Sequence, residues 1–94
     1  MGICASAALR ITVFDPNKTK HVYSFSMKQL RTFQTIGDVL SVTNIELSPR
    51  DRIYRQTPWG IEELKTHSQF QIQNIIVKTG SHSIKYKLLM EHLY

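Results

Sequence analysis

Gly2, Cys4 and Ser6 stand at spacings that suit the attachment of lipid. Removal of Met1 would expose the Gly2 amine to N-myristoylation, which favours a hydroxyl residue at the sixth position, and the intervening Ile3, Cys4 and Ala5 are small or neutral. Chance supplies Gly and a hydroxyl residue at those two places in about one chain in a hundred. Cys4 adds a second acceptor. One myristoyl chain gives marginal, reversible membrane binding, whereas S-palmitoylation of Cys4 would add about 0.8 kcal/mol per buried methylene and make residence lasting. The competing reading is an idle terminus, a Met-Gly start beside a structurally inert cysteine.

Other chemistry has less to stand on. Cys4 is the only cysteine, which rules out an internal disulfide and a cysteine-based metal cluster. His21, His67, His82 and His92 are scattered at spacings that match no zinc signature. Glu62 and Glu63 are neighbours in an expected strand and would point to opposite faces, which defeats a paired-carboxylate role. The four glycines form neither a phosphate-binding loop nor a dinucleotide fingerprint, and no nucleophile-elbow motif appears. The sequence therefore points away from an enzyme, with no cofactor and no metal expected.

Charge supplies a broader hint. The net charge is +5, and across the first 34 residues Arg10, Lys18, Lys20, Lys28 and Arg31 face the single acid Asp15. Such a surface suits a polyanion. Anionic lipid headgroups and nucleic acid both qualify, and so does the plain reading of a solvated face that keeps the protein soluble. Tyr23, Phe25, Tyr54, Trp59 and Tyr86 lie near Lys20, Arg52, Arg55, Lys85 and Lys87, a mixture that would serve stacking on a single strand of nucleic acid. Aromatic residues on strands more commonly pack in the core. Trp59 differs, because it sits in the turn Pro58-Trp59-Gly60, either folded back or displayed as an interaction anchor.

These residues must be positioned by one small fold. No stretch approaches the roughly 18 apolar residues of a spanning helix, and Arg10 interrupts the opening apolar run too early for a secretory signal. Leu9, Ile11 and Val13 alternate with Arg10, Thr12 and Phe14, predicting a strand over 8–14. Asp15-Pro16-Asn17-Lys18 is turn chemistry, and 20–25 alternates again to complete a hairpin. Ser26 with Gln29 fits a capping box and predicts a helix over 27–42. In the rival reading the second strand runs on to Arg31, and a shorter helix starts at Thr35, capped with Asp38. Short strands are expected at 52–56, 61–66, 70–78 and 83–89, with a bulge near Asn74 where Ile75 and Ile76 break the alternation.

The expected fold class is α+β: a small mixed sheet with one helix on one face, formed by 8–94 behind an N-terminal tail of residues 1–7. Hairpin, helix, Pro49-marked loop and later core strand resemble the β-grasp arrangement of ubiquitin-like domains, with an extra C-terminal hairpin. The ending Glu91-His92-Leu93-Tyr94 lacks the free diglycine of a conjugated modifier. The first six residues resemble the beginnings of small signalling subunits, of Src-type kinases and of small geminiviral accessory proteins. That resemblance implies acylation at Gly2 and Cys4, with Ser6 as part of the myristoylation signal, and nothing further.

The expectation is a non-enzymatic, acylated adaptor or effector, viral accessory or matrix-like in kind, on the cytoplasmic face of the plasma membrane. Arg10, Lys18, Lys20, Lys28, Arg31, Lys85 and Lys87 would contact the anionic inner leaflet, and Trp59 would anchor an unidentified protein partner. Exposed sheet edges would permit a homo-oligomer by strand addition. The alternative is a soluble RNA-binding suppressor in cytoplasm or nucleus, holding nucleic acid through Lys85 and Lys87.

Overall fold

The alternation of Leu9, Ile11 and Val13 is realised as strand β1 (Ala7–Phe14), whose inward residues are almost fully buried. The computed structural model describes residues 6–80 and 82–93. Gly2 and Cys4 lie outside the described residues; Ser6 is exposed, and Ala7, assigned above to the tail, already belongs to β1. The turn after β1 forms as its chemistry dictates. Asp15 Oδ1 accepts from the backbone N–H groups of Asn17 and Thr19, both at 2.9 Å, and Lys18 takes a left-handed φ of 62°. Strand β2 (Lys20–Ser26) returns antiparallel to β1.

Two helices follow where one was expected, because both rival cap signals are used. Ser26 and Gln29 form a reciprocal capping box at the start of α1 (Met27–Leu30). Thr35 and Asp38 form a second at the start of α2 (Ile36–Val42). A continuous helix fails between them for a local reason. Asp38 Oδ2 takes the N–H groups of both Gln34 and Thr35, at 2.8 and 2.9 Å, and Thr35 is extended with φ of −130°. The next donors, Ile36 and Gly37 N–H, go to the carbonyls of Ser68 and Thr66. Gly37 fits there because a Cβ would stand 3.2 Å from the Thr66 oxygen. At the other end Asn44, with φ of 58°, closes α2 in a Schellman motif: Asn44 N–H donates to Ser41 O and Ile45 N–H to Leu40 O.

Strands β3 (Asp51–Thr57), β4 (Gly60–Leu64), β5 (Ile75–Thr79) and β6 (Ser83–His92) complete one six-stranded sheet in the order β2-β1-β6-β5-β3-β4. All five pairings are antiparallel. The expected mixed sheet is thus not found, and the β-grasp arrangement is not confirmed; the class is α+β with strands predominating. Residues 70–74 do not join β5 as predicted. Phe70 N–H donates instead to Gln34 O, Gln69 bridges Thr35, and the Phe70 ring meets Phe33 edge-on at 5.5 Å. The bulge is elsewhere too. Ile75 and Ile76 are both buried because β5 lies inside the sheet, while the register slips opposite Val77 and Lys78 and leaves Lys85 of β6 with no residue opposite it on β5.

The core lies on one side of the sheet. Leu9, Ile11 and Val13 of β1, Ile53, Ile75, Val77 and Leu88 pack with Phe33, Ile36, Val39, Leu40 and Ile45 from the helical segment.

Candidate functional site

Residues paired directly across neighbouring strands share a face, so the register maps the side of the sheet turned away from the helices. Arg10 sits with Ser24 and Glu91, Thr12 with Val22 and Leu89, and Phe14 with Lys20 and Lys87. The same face continues through Ile76 beside Lys87, then Tyr54, then Glu63; Lys78 stands between Arg52 and Ile84. Val22, Ile61, Ile84 and Leu89 are between 44% and 51% exposed there, so aliphatic surface lies open between the cations. A sheet half covered by helices normally turns a uniformly polar face to water. This one does not.

The face is strongly positive. Arg10, Lys20, Arg52, Lys78 and Lys87 oppose only Glu63 and Glu91. Both acids are already engaged, Glu91 by Arg10 and Glu63 by Lys65 at 2.8 Å, and the Lys65 bond holds the Glu63 carboxyl below its ordinary range. Lys78 lies 5.4 Å from the centre of the Tyr54 ring, which fixes its stem against the face.

Of the predicted basic residues, Lys20 and Lys87 lie on this face, and Arg10 is there in an ion pair with Glu91. Lys18 and Lys85 join Lys87 around a cavity of about 230 Å³ between the β1–β2 turn and β6, whose walls include Phe14, Asp15, Pro16 and Ile84. Lys28 lies in α1 and Arg31 caps it; neither belongs to the sheet face. Arg52 and Lys78 were missing from the predicted contact set. Both alternate outward in their strands, a signal the sequence carried once β3 and β5 were placed.

The aromatic set does not come together. Phe25 is buried, Tyr23 and Tyr86 pack against the core, and Tyr54 alone of the five reaches the open face. Trp59 is 92% exposed at the β3–β4 turn, which selects display over folding back. Its backbone N–H donates to Thr57 Oγ1 at 3.2 Å, so the turn is held while the indole stands in solvent.

One buried ion pair braces the site. The Asp51 side chain has no exposed surface, and its Oδ2 accepts from Lys85 Nζ at 2.9 Å and from Ser48 N–H at 2.8 Å. Oδ1 is buried without a partner. Burial pushes the Asp51 carboxyl up, but the Lys85 and Ser48 hydrogen bonds overcome it and leave the group below its usual range. Lys85 is correspondingly held above its ordinary value, chiefly by the Asp51 hydrogen bond. Asp15 is also held low, first by the His21 hydrogen bond at 3.0 Å and then by Thr19 N–H.

Among the described residues no group of three or more His, Cys, Asp or Glu could hold a metal ion, and no helix is long and apolar enough to cross a membrane. No family model matches the chain, and comparison with curated proteins and with solved structures finds no match.

Proposed function

We propose that this chain is a non-enzymatic, peripheral membrane protein that recruits a protein partner to the cytoplasmic face of the plasma membrane. Acyl groups on Gly2 and Cys4 tether it, with Ser6 completing the acylation signal, and the open sheet face lies on the anionic leaflet. The observation that carries this reading is the pairing, on one uncovered face, of half-exposed Val22, Ile84 and Leu89 with Lys20, Lys78 and Lys87. Aliphatic groups enter the headgroup boundary while lysine ammoniums remain at the phosphates.

The magnitudes fit a two-signal anchor. A myristoyl chain alone binds with a constant of about 10⁴ M⁻¹. Lys20, Arg52, Lys78 and Lys87, at about 1 kcal/mol each, would add about 4 kcal/mol, or nearly three decades of affinity. Palmitate on Cys4 would add more. Trp59, displayed away from the core, is the candidate contact for the protein partner. Among the described residues, Phe14 and Tyr54 of the open face stand on β1 and β3 with β6 and β5 between them, a spacing that gives no shared aromatic platform and weighs against single-stranded nucleic acid as the occupant.

The test is localisation of the full chain carrying a C-terminal fluorescent tag. Gly2→Ala should release it to the cytosol, Cys4→Ser should weaken retention, and Lys20→Glu with Lys87→Glu should release it although Gly2 is intact. Unchanged location after Gly2→Ala sinks the acylation step. Salt-sensitive retention on an RNA column that the two glutamates abolish, with membrane residence unaffected, would replace the membrane reading by the nucleic-acid one.

A further inference from the structure

We propose that the cavity between the β1–β2 turn and β6 is a binding site for a phosphate monoester, carried on a lipid headgroup or on a soluble polyol. Three lysines from two separate elements meet there, with Lys18 in the turn and Lys85 and Lys87 in β6. The bulge brings Ile84 to this grouping. In an unbroken strand Ile84 would face the core with Tyr86 and Leu88, and the extra residue at Lys85 instead turns Ile84 to the same face as Lys87. Lys85, displaced from the alternation, reaches Asp51.

Lys85 is balanced by its ion pair with the buried Asp51, so the uncompensated cations at the cavity are Lys18 and Lys87. Asp15 is its one acidic wall, and both carboxylate oxygens are occupied: Oδ1 by two backbone N–H groups and Oδ2 by His21. Neither Lys18 nor Lys87 has an acidic partner among the described residues. Lys85 lines the cavity, but its ammonium is held and neutralised by Asp51. The two free ammoniums of Lys18 and Lys87 match a phosphate monoester, which carries about −1.5 to −2 at neutral pH. Phe14, Pro16 and Ile84 supply an apolar wall for the carbon frame that bears the phosphate.

The site is built wholly from described residues and does not depend on acylation. It deepens the membrane reading only if the phosphate sits on a lipid, since Phe14 and Lys87 place the cavity at the margin of the open face.

Unacylated full chain is titrated with inositol trisphosphate and followed by calorimetry and amide chemical shifts. Saturable one-site binding is expected, with shifts centred on Lys18, Ile84 and Lys87. Lys18→Gln and Lys87→Gln should each weaken it about tenfold. Lys28→Gln removes the same charge from α1, away from the cavity, and should change affinity less than about twofold. No saturable binding at low salt, or equal weakening by Lys28→Gln, overturns the site. Sedimentation with phosphatidylcholine vesicles then separates the sources. A preference for vesicles containing phosphatidylinositol bisphosphate over phosphatidylserine vesicles of matched charge, lost in Lys87→Gln, identifies a lipid. Soluble binding without that preference identifies a free phosphate and leaves Gly2-dependent localisation unaffected.

Discussion

Replacing Lys85 by Met keeps the long aliphatic stem and deletes the charge that faces Asp51. The Asp51 carboxylate would then be buried with Ser48 N–H as its remaining hydrogen bond and Oδ1 still without a partner. Breaking a fully buried pair costs about 3–5 kcal/mol. Lys85 is 27% exposed and Asp51 not at all, so water reaches one side of the pair and the expected loss is about 2–3 kcal/mol. For a domain of this size that is a fall in Tm of roughly 10–20 °C.

The pH dependence identifies the cause. In the native protein the Asp51 carboxyl is held below its usual range, so its contribution is present above the unfolded pKa and is lost as pH falls through the lower folded value. Without Lys85 the largest influence left on Asp51 is burial, which raises its pKa. The variant then takes up a proton at higher pH than the native protein, and its deficit shrinks as the medium is acidified. Urea denaturation at about pH 7 and about pH 4 should show the smaller difference at the lower pH. A loss under about 0.5 kcal/mol, or a deficit equal at both pH values, refutes the buried-pair reasoning.

Three further outcomes test the local geometry. Thr35→Ala removes the acceptor for Asp38 N–H and should cost about 1 kcal/mol by denaturant titration, with amide exchange accelerated at the start of α2. Gly60 has φ of 136°, a region nearly closed to residues with a Cβ, so Gly60→Ala should lose about 1–3 kcal/mol although nothing lies within 4 Å to clash. Trp59→Ala should change stability by no more than about 0.5 kcal/mol while removing partner capture; a larger loss of stability would show that the indole packs.

Hairpin chemistry was the most legible part of the sequence. Asp15-Pro16-Asn17-Lys18 encodes its turn in four adjacent residues, and the strands on either side alternate cleanly. Both helix starts were also written locally, but the sequence offered them as rivals. What decided that both operate is the docking of Gln34 to Phe70 and of Gly37 to Thr66, contacts across about thirty residues that no local pattern contains. Strand pairing was hidden for the same reason. The antiparallel placement of β6 between β1 and β5 is a property of the assembled sheet, and hydrophobic periodicity is blind to the direction of a neighbour.

The candidate cavity was illegible for a sharper reason. Ile84, Tyr86 and Leu88 keep perfect alternation, so period-two reasoning turns all three inward and sends Lys85 and Lys87 outward together. The fold breaks that pattern at its most regular point. Asp51, buried at the head of β3, offers an ion pair to the lysine that the bulge displaces, and Ile84 goes outward, half exposed, as the consequence. At Ile75 and Ile76 the sequence instead shows a broken pattern where the strand is regular, because Ile75 faces the core while Ile76, on the other face of an interior strand, is buried between its neighbours Tyr54 and Lys87. Alternation reports burial, and it reports register only where one face is open to water. The meeting of Lys18 with Lys87 and Ile84 depends on register, and so it emerges only when β6 is laid against β1 and β5.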